Sequence, residues 1–261
     1  MKVHRARKRF GQHFLADDAV IEAIVAAIGP RHDDRMVEIG PGLGALTRPL
    51  AARVAHLQVV EIDRDIVAQL RRDFAGGRIA IHEGDALKFD FGALGPGLRV
   101  VGNLPYNIST PLLFHLSRYG AAIRDIHAML QKEVVARMVA APSSADYGRL
   151  SVMLQYRFRM ESVLKVPAAA FDPVPKVESA MVRMMPYAQL PHSARDEVLF
   201  ATIVAAAFAQ RRKTLRNALQ RHFGAEDFRR LGVDAGLRAQ DLGVVDFVRL
   251  ADHAAAQAQR A

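Results

Sequence analysis

The 261-residue sequence predicts an α/β fold, a doubly wound and mostly parallel sheet followed by a small all-α C-terminal domain. Three observations predict it. Short apolar runs alternate with helix-like patterns through the first half of the chain, the sequence pattern of βαβ units. Runs such as VVEI and RVVG are apolar without alternation, as in strands covered on both faces. After Pro191 the pattern becomes wholly helical.

In order, residues 17–29 place Ile21, Ile24, Val25 and Ile28 at helical spacing behind an Asp cap and stop at Gly29-Pro30. The run MVEIG then leads into PGLGALTRPLAARVA, a strand, a glycine turn and a helix. LQVVEID, RDIVAQLRRDF, RIAIHEGDAL, LRVVGNLPY and STPLLFHLSRY continue the alternation. IHAMLQ reads as a strand, KEVVARMVA as its helix, and LSVMLQYRF and SAMVRMM as late strands. The three prolines of VPAAAFDPVPKVE argue for a fixed loop between them. DEVLFATIVAAAFAQ and RRKTLRNALQRHF read as helices. The expected domains are 1–189, with a basic N-terminal arm, and 190–261, a small helical unit.

Composition excludes several classes. With 51% hydrophobic residues and 24% charged, the chain can bury a core and is not a disordered basic tail. Zero cysteines exclude disulfide scaffolds, thiolate nucleophiles and Cys-type zinc sites. No apolar run approaches the roughly 18 residues of a membrane span, and no apolar stretch follows the basic N-terminus as in a secretory signal. These features read as a soluble, cytoplasmic protein without a membrane partner. The ten histidines lack metal-ligand spacing, so no metal site is expected. Asp17/Asp18 and Asp33/Asp34 read as caps and turns, and the five methionines from Met138 to Met184 as core.

The net charge of +9 is unevenly placed. Lys2, Arg5, Arg7, Lys8 and Arg9 form one acid-free cluster, and Arg211, Arg212, Lys213, Arg216 and Arg221 another. Together they hold ten positive charges, which leaves the rest of the chain at −1. A nearly neutral body with two cationic arms suggests a polyanionic partner, with Lys8, Arg9, Arg211, Arg212, Lys213 and Arg216 as candidate RNA contacts.

Three constellations carry chemistry. Glu38-Ile39-Gly40-Pro41-Gly42-Leu43-Gly44 sits between a strand and a helix, where Gly40 and Gly42 let the backbone approach a ligand closely. Its GxGxG spacing differs from the dinucleotide fingerprint. Glu61 ends the next strand, placed to accept hydrogen bonds from ribose hydroxyls, and Asp85 ends the third, placed to meet an amino-bearing edge such as that of adenine. Together they describe a nucleoside pocket along the carboxyl edge of the sheet.

The third constellation is Asn103-Leu104-Pro105-Tyr106. An exocyclic amine is a poor nucleophile because its lone pair is conjugated with the ring. Two acceptors, the Asn103 carbonyl oxygen and the Leu104 or Pro105 carbonyl, can take its N–H bonds and draw the nitrogen toward tetrahedral geometry, while Tyr106 stacks on the base. Positioning then does most of the work, and no strong base is needed.

These residues resemble the class I S-adenosylmethionine-dependent methyltransferases, a Rossmann-like fold, that act on amino groups. The segments KRFGQHFL, VEIGPGLGALT, VVEIDRD, GDAL, GNLPYNIS, FDPVPKVES and FAQRRKTLRNAL together resemble the KsgA/Dim family of small-subunit rRNA adenine dimethyltransferases, in the family's order from residue 8 to about 219. The resemblance implies S-adenosylmethionine contacts at His13, Leu15, Gly40, Glu61, Asp85 and Asn103, and an adenine held between Tyr106 and Phe171. This chain carries His13 where many members of the family carry Asn.

The resemblance also implies dimethylation of N6 of two adjacent adenosines in the 3′-terminal hairpin of 16S rRNA, in the small (30S) ribosomal subunit, by a monomer. Two alternatives remain at this stage. One is a mainly non-catalytic assembly or checkpoint factor of the small subunit; the other is a DNA adenine methyltransferase.

Overall fold

The structure is a computed structural model that describes residues 13–77 and 79–258. The N-terminal cluster, with the expected RNA contacts Lys8 and Arg9, lies outside the described residues. The first elements are β1 (Phe14–Leu15), α1 (Asp18–Ile28), β2 (Arg35–Ile39), α2 (Thr47–Ala51), β3 (His56–Glu61), α3 (Arg64–Asp73) and β4 (Ile79–Glu83). There follow β5 (Leu98–Asn103), α4 (Ser109–Ser117), β6 (Ile123–Gln131), α5 (Lys132–Val139), α6 (Arg149–Gln155), β7 (Phe158–Val166), β8 (Phe171–Asp172) and β9 (Ser179–Pro186). The chain closes with α7 (Glu197–Ala209), α8 (Leu215–Ala218), α9 (Ala225–Leu231) and α10 (Val244–Ala258).

Seven strands form one sheet in the order β4-β3-β2-β5-β6-β9-β7, with β2 to β6 parallel and β9 antiparallel to β6. The order reverses between β2 and β5, and in such sheets ligands bind beyond the carboxyl ends of the strands at that point. Here β5 can approach β2 closely only because Gly102 has no side chain. A Cβ there would lie 2.5 Å from the Ile39 carbonyl oxygen. α1 begins as its sequence implies, with the Asp17 side chain accepting from the Val20 amide (3.1 Å), and ends at left-handed Gly29. Ile24, Val25 and Ile28 face the core, which also takes in Leu15, Met36, Val59, Val101 and Phe171.

The chain divides into two compact units: one runs up to Val135 and includes Arg159–Pro186, the other joins Ala136–Phe158 to the chain from Tyr187 onward. The expected boundary at 189/190 therefore misses an excursion. LSVMLQYRF is not one strand; its first residues are in α6, and β7 begins only at Phe158. Gly148 and Ser151 start that helix, the Gly148 amide donating to Ser151 Oγ (3.0 Å). Val152 and Tyr156, four residues apart, then enter the helical unit's core, where the Tyr156 ring lies 4.5 Å from that of Phe200.

The second departure is RRKTLRNALQRHF. Helix α7 stops at Ala209, Arg211 to Lys213 lie in a turn, and only Leu215–Ala218 is helical. The amides of Leu215 and Arg216 donate to the carbonyls of Leu237 (2.7 Å) and Ala235 (3.1 Å), so a neighbouring segment takes bonds that a continuous helix would have used.

Candidate active site

The carboxyl ends of β2, β3 and β5, with segment 13–15 and the turn after β4, enclose one cavity. Gly40 and Gly42 have φ of +67° and +54°, a region that favours glycine. A Cβ at Gly42 would come within 3.0 Å of the Phe14 ring, so the turn needs glycine for its backbone and for the ring packed over it. The helix expected after this turn is short, five residues from Thr47.

Glu61 lies on the wall where β3 ends, with Oε1 accepting from the Asp63 amide (2.8 Å). Burial pushes its carboxyl above the usual range, and neighbouring Asp63 adds to the shift against opposing backbone donors. Asp85 lines the wall as well, with Oδ1 taken by the Leu87 amide (2.9 Å). Ile62, Ala86 and Leu87 supply apolar surface next to these acids. Such a pairing suits a flat, partly apolar ligand with hydroxyl and amino groups.

Glu38, the acid that opens the glycine turn, carries no role legible in the sequence. It is 2% exposed on the cavity wall, and its Oε2 has no hydrogen-bond partner among the described residues. Burial raises its carboxyl to about 7, and the Glu61 carboxylate adds to the shift. The available signal was an acid inside the otherwise apolar run MVEIG.

Asn103 ends β5. Its Nδ2 donates to the His13 carbonyl (2.9 Å), which commits the amide N–H group and leaves Oδ1 as the acceptor. Leu104 and Pro105 line the same wall. Tyr106 is fixed by a hydrogen bond between its hydroxyl and Ser179 Oγ (2.8 Å), and Ser179 itself is fully buried. The His13 ring stacks on Tyr106 with centroids 5.9 Å apart and planes 25° from parallel. Neither Ser179 nor this ring pair was legible from local sequence.

Of the expected site residues, His13, Leu15, Gly40, Gly42, Glu61, Asp85, Asn103, Leu104, Pro105 and Tyr106 meet at this one cavity. Phe171, expected as the second ring on the base, does not line it. Backbone pairing of β1 with β8 sets Leu15 opposite Phe171, and the Phe171 side chain, 2% exposed, packs into the hydrophobic core. Arg211, Arg212, Lys213 and Arg216 are exposed on the helical unit, the first three on its turn rather than on a helix. No group of three or more metal-ligating side chains occurs among the described residues.

A family profile described as "Ribosomal RNA adenine dimethylase" matches residues 3–256. The chain is 63% identical to ribosomal RNA small subunit methyltransferase A of Thiobacillus denitrificans, over 94% of this chain and 96% of that protein. It is 58% identical to the protein of the same name from Aromatoleum aromaticum, over 100% of this chain and 98% of that one. Among solved structures, a dimethyladenosine transferase from Plasmodium falciparum has the same fold, with a TM-score of 0.79 at 23% identity over 91% of this chain and 96% of that one. The 23S rRNA methyltransferase ErmE superposes with a TM-score of 0.72 at 27% identity, over 92% of this chain and 98% of that one.

Proposed function

The chain belongs to the ribosomal RNA adenine dimethylase family, and from that premise we propose that it dimethylates N6 of two adjacent adenosines in the 3′-terminal hairpin of 16S rRNA, on the small (30S) subunit, with S-adenosylmethionine as methyl donor. The observation that carries this reading is the Asn103 amide, held by the His13 carbonyl so that its oxygen is the free acceptor, on the same wall as the nucleoside-binding acids.

The residues fit the cofactor. Glu61 suits ribose hydroxyls, Asp85 an adenine amino edge, and the glycine turn a backbone-close ligand that a Cβ at Gly42 would obstruct. Glu38, buried with an unpartnered oxygen, suits the cationic end of such a molecule. S-adenosylmethionine, when bound, supplies an activated methyl group on sulfur. The chain's own residues do the rest. Asn103 Oδ1 and the Leu104 or Pro105 carbonyl take the two N–H bonds of the target amine and aim its lone pair, and Tyr106 carries the base on its ring face. In each transfer the amine nitrogen would form a bond to the methyl carbon as that carbon's bond to sulfur breaks, the bonding pair staying on sulfur and one N–H proton passing to solvent.

To reach a cavity at the sheet edge the adenine must leave its stack, which costs least in an RNA loop. The exposed Arg211, Arg212, Lys213 and Arg216 hold flanking phosphates. The protein works in the cytoplasm as a monomer, where its ribosomal substrate is; no described helix is long and apolar enough to cross a membrane. The readings as a DNA adenine methyltransferase or a mainly non-catalytic assembly factor have no counterpart in the two full-length relatives above, both named as rRNA methyltransferases. Asn103→Ala abolishes dimethylation of unmodified 30S subunits while RNA affinity stays within about twofold, since phosphate contacts carry most of it. Substantial residual dimethylation contradicts the role of Asn103.

A further inference from the structure

We propose that Lys132 and Lys165 form a seat for a phosphate of the RNA strand beside the target nucleotide, and that the Glu178 carboxylate occupies this seat until RNA displaces it. The inference rests on the methyltransferase reading above and goes beyond it. Arg211, Arg212, Lys213 and Arg216 belong to the helical unit, whereas Lys132, Lys165 and Glu178 belong to the unit that holds the cavity. A nucleotide that leaves its stack brings its own phosphates to the cavity mouth, where they need cations.

Four observations carry it. Lys132, which opens α5, donates through Nζ to Glu178 Oε2 (2.7 Å), and its amide donates to the Glu178 carbonyl (3.0 Å). The Lys132 ammonium holds the Glu178 carboxyl below its usual range, and Lys165, near the end of β7, adds to the pull, so two cations face one carboxylate. Glu178 directly precedes Ser179, whose Oγ bonds the Tyr106 hydroxyl (2.8 Å) and whose backbone pairs with Gln131, the residue before Lys132. The loop that leads to Glu178 exposes Val174 (64%) and Val177 (45%) around exposed Lys176, and neighbouring apolar side chains left in water beside a cation mark a contact surface.

The Lys132 and Glu178 side chains are 50% and 58% exposed, and an ion pair so open to water adds little to stability. It is therefore easily exchanged. A phosphate diester offers two acceptor oxygens at the charge of a carboxylate, and its binding to the lysines also releases counterions condensed on the RNA, which tips the exchange toward phosphate. Lysine suits the task, since its ammonium is a compact charge with three donors on a flexible stem. The carboxylate keeps the seat neutralised in the free protein and sets a threshold that a polyanion passes. A phosphate held there fixes the strand next to the residue that fastens Tyr106.

The test measures affinity for unmodified 30S subunits and for protein-free 16S rRNA across a salt series, with the parent protein, Lys132→Gln and Glu178→Gln. Lys132→Gln is expected to weaken binding about fivefold near 0.1 M salt and to flatten the slope of log affinity against log salt by about 0.7 to 0.9, the share of one phosphate contact. Glu178→Gln is expected to act with the opposite sign and tighten binding about twofold to threefold, since phosphate no longer competes with a carboxylate. S-adenosylmethionine affinity stays within about twofold in both variants, as their contacts are to phosphate alone. A pair that serves only the fold would weaken binding in both. The proposal is overturned if the slope is unchanged in Lys132→Gln, or if Glu178→Gln binds no better than the parent. Shifts seen on 30S subunits but absent on protein-free rRNA overturn the phosphate assignment and point to a ribosomal protein at this surface. Methyl transfer is followed alongside: a parent that fails to methylate 30S subunits overturns the methyltransferase reading, whereas normal methylation with unchanged salt slopes overturns the seat alone.

Discussion

The two ends of the central sheet handle buried charge in opposite ways. At the amino ends of β2, β5 and β6, Arg99 is 5% exposed and fully engaged, reaching Asp34 (2.6 Å), Asp125 (3.0 Å) and the carbonyls of Ile28 (2.7 Å) and Gly29 (3.1 Å). Burial alone would raise the Asp34 carboxyl, but the Arg31 amide and the Arg99 guanidinium outweigh it and hold that carboxyl below its usual range. At the carboxyl ends of β2 and β3, Glu38 and Glu61 are also buried but have no ion-pair partner among the described residues, and both are raised. The difference lies in the partners. One end is finished by the chain itself and fixes the fold; the other leaves acceptors for a ligand to complete, at a cost in stability.

The largest effect is expected at the finished end. Arg99→Ala leaves Asp125 buried without its guanidinium and Asp34 with Arg124 alone (2.9 Å), a loss of about 3–5 kcal/mol, much of the roughly 5–15 kcal/mol that holds a domain together. Urea denaturation measures it. A loss below about 1 kcal/mol means that water has replaced the guanidinium and the contrast is false.

The next effect is at the open end and has the opposite sign. Glu38 takes up a proton at about 7 in the folded chain and near 4.5 when unfolded, so the folded state binds more protons between those values. Stability of the ligand-free protein therefore falls as pH rises from about 4.5 to 7, by roughly 3 kcal/mol. Glu38→Gln removes that loss. Its Tm exceeds that of the parent at pH 8 and matches it near pH 4.5, while S-adenosylmethionine affinity drops. A variant less stable than the parent at pH 8 shows that Glu38 is already paired.

The smallest effect on stability belongs to exposed charge. Neutralising Arg211, Arg212 and Lys213 together changes unfolding free energy by less than about 0.5 kcal/mol per site. Yet the slope of log affinity for the 30S subunit against log salt flattens by up to about 3, and S-adenosylmethionine affinity is unchanged. If cofactor affinity falls with RNA affinity, this cluster serves the fold as Arg99 does.

Much of this was legible in the sequence because it is local. Strands covered on both faces read as unbroken apolar runs, the Asp17 cap and Gly29 stop bound α1, and GxGxG, Glu61, Asp85 and NLPY stand at strand ends where the fold gathers them. What escaped depends on distant partners. Val152, Leu154 and Tyr156 alternate as a strand would, yet Val152 and Tyr156, one helical turn apart, are held by the helical unit's core and α6 is a helix. The helix through Arg211 to Lys213 is broken by backbone bonds to residues 235–237. Phe171 was expected on the base because nothing local reveals that β8 pairs with β1 and turns that ring inward. Glu38 lay in plain view, but its neutralising burial beside Glu61 is a property of the closed cavity.

Dimethylation is read directly by mass spectrometry of the 16S rRNA 3′-terminal hairpin from unmodified 30S subunits incubated with this protein and S-adenosylmethionine. N6,N6-dimethyladenosine is expected at both adjacent adenosines, and none with Asn103→Ala. An unchanged hairpin with the parent protein, or methyl groups on another base or another ring position, would contradict it.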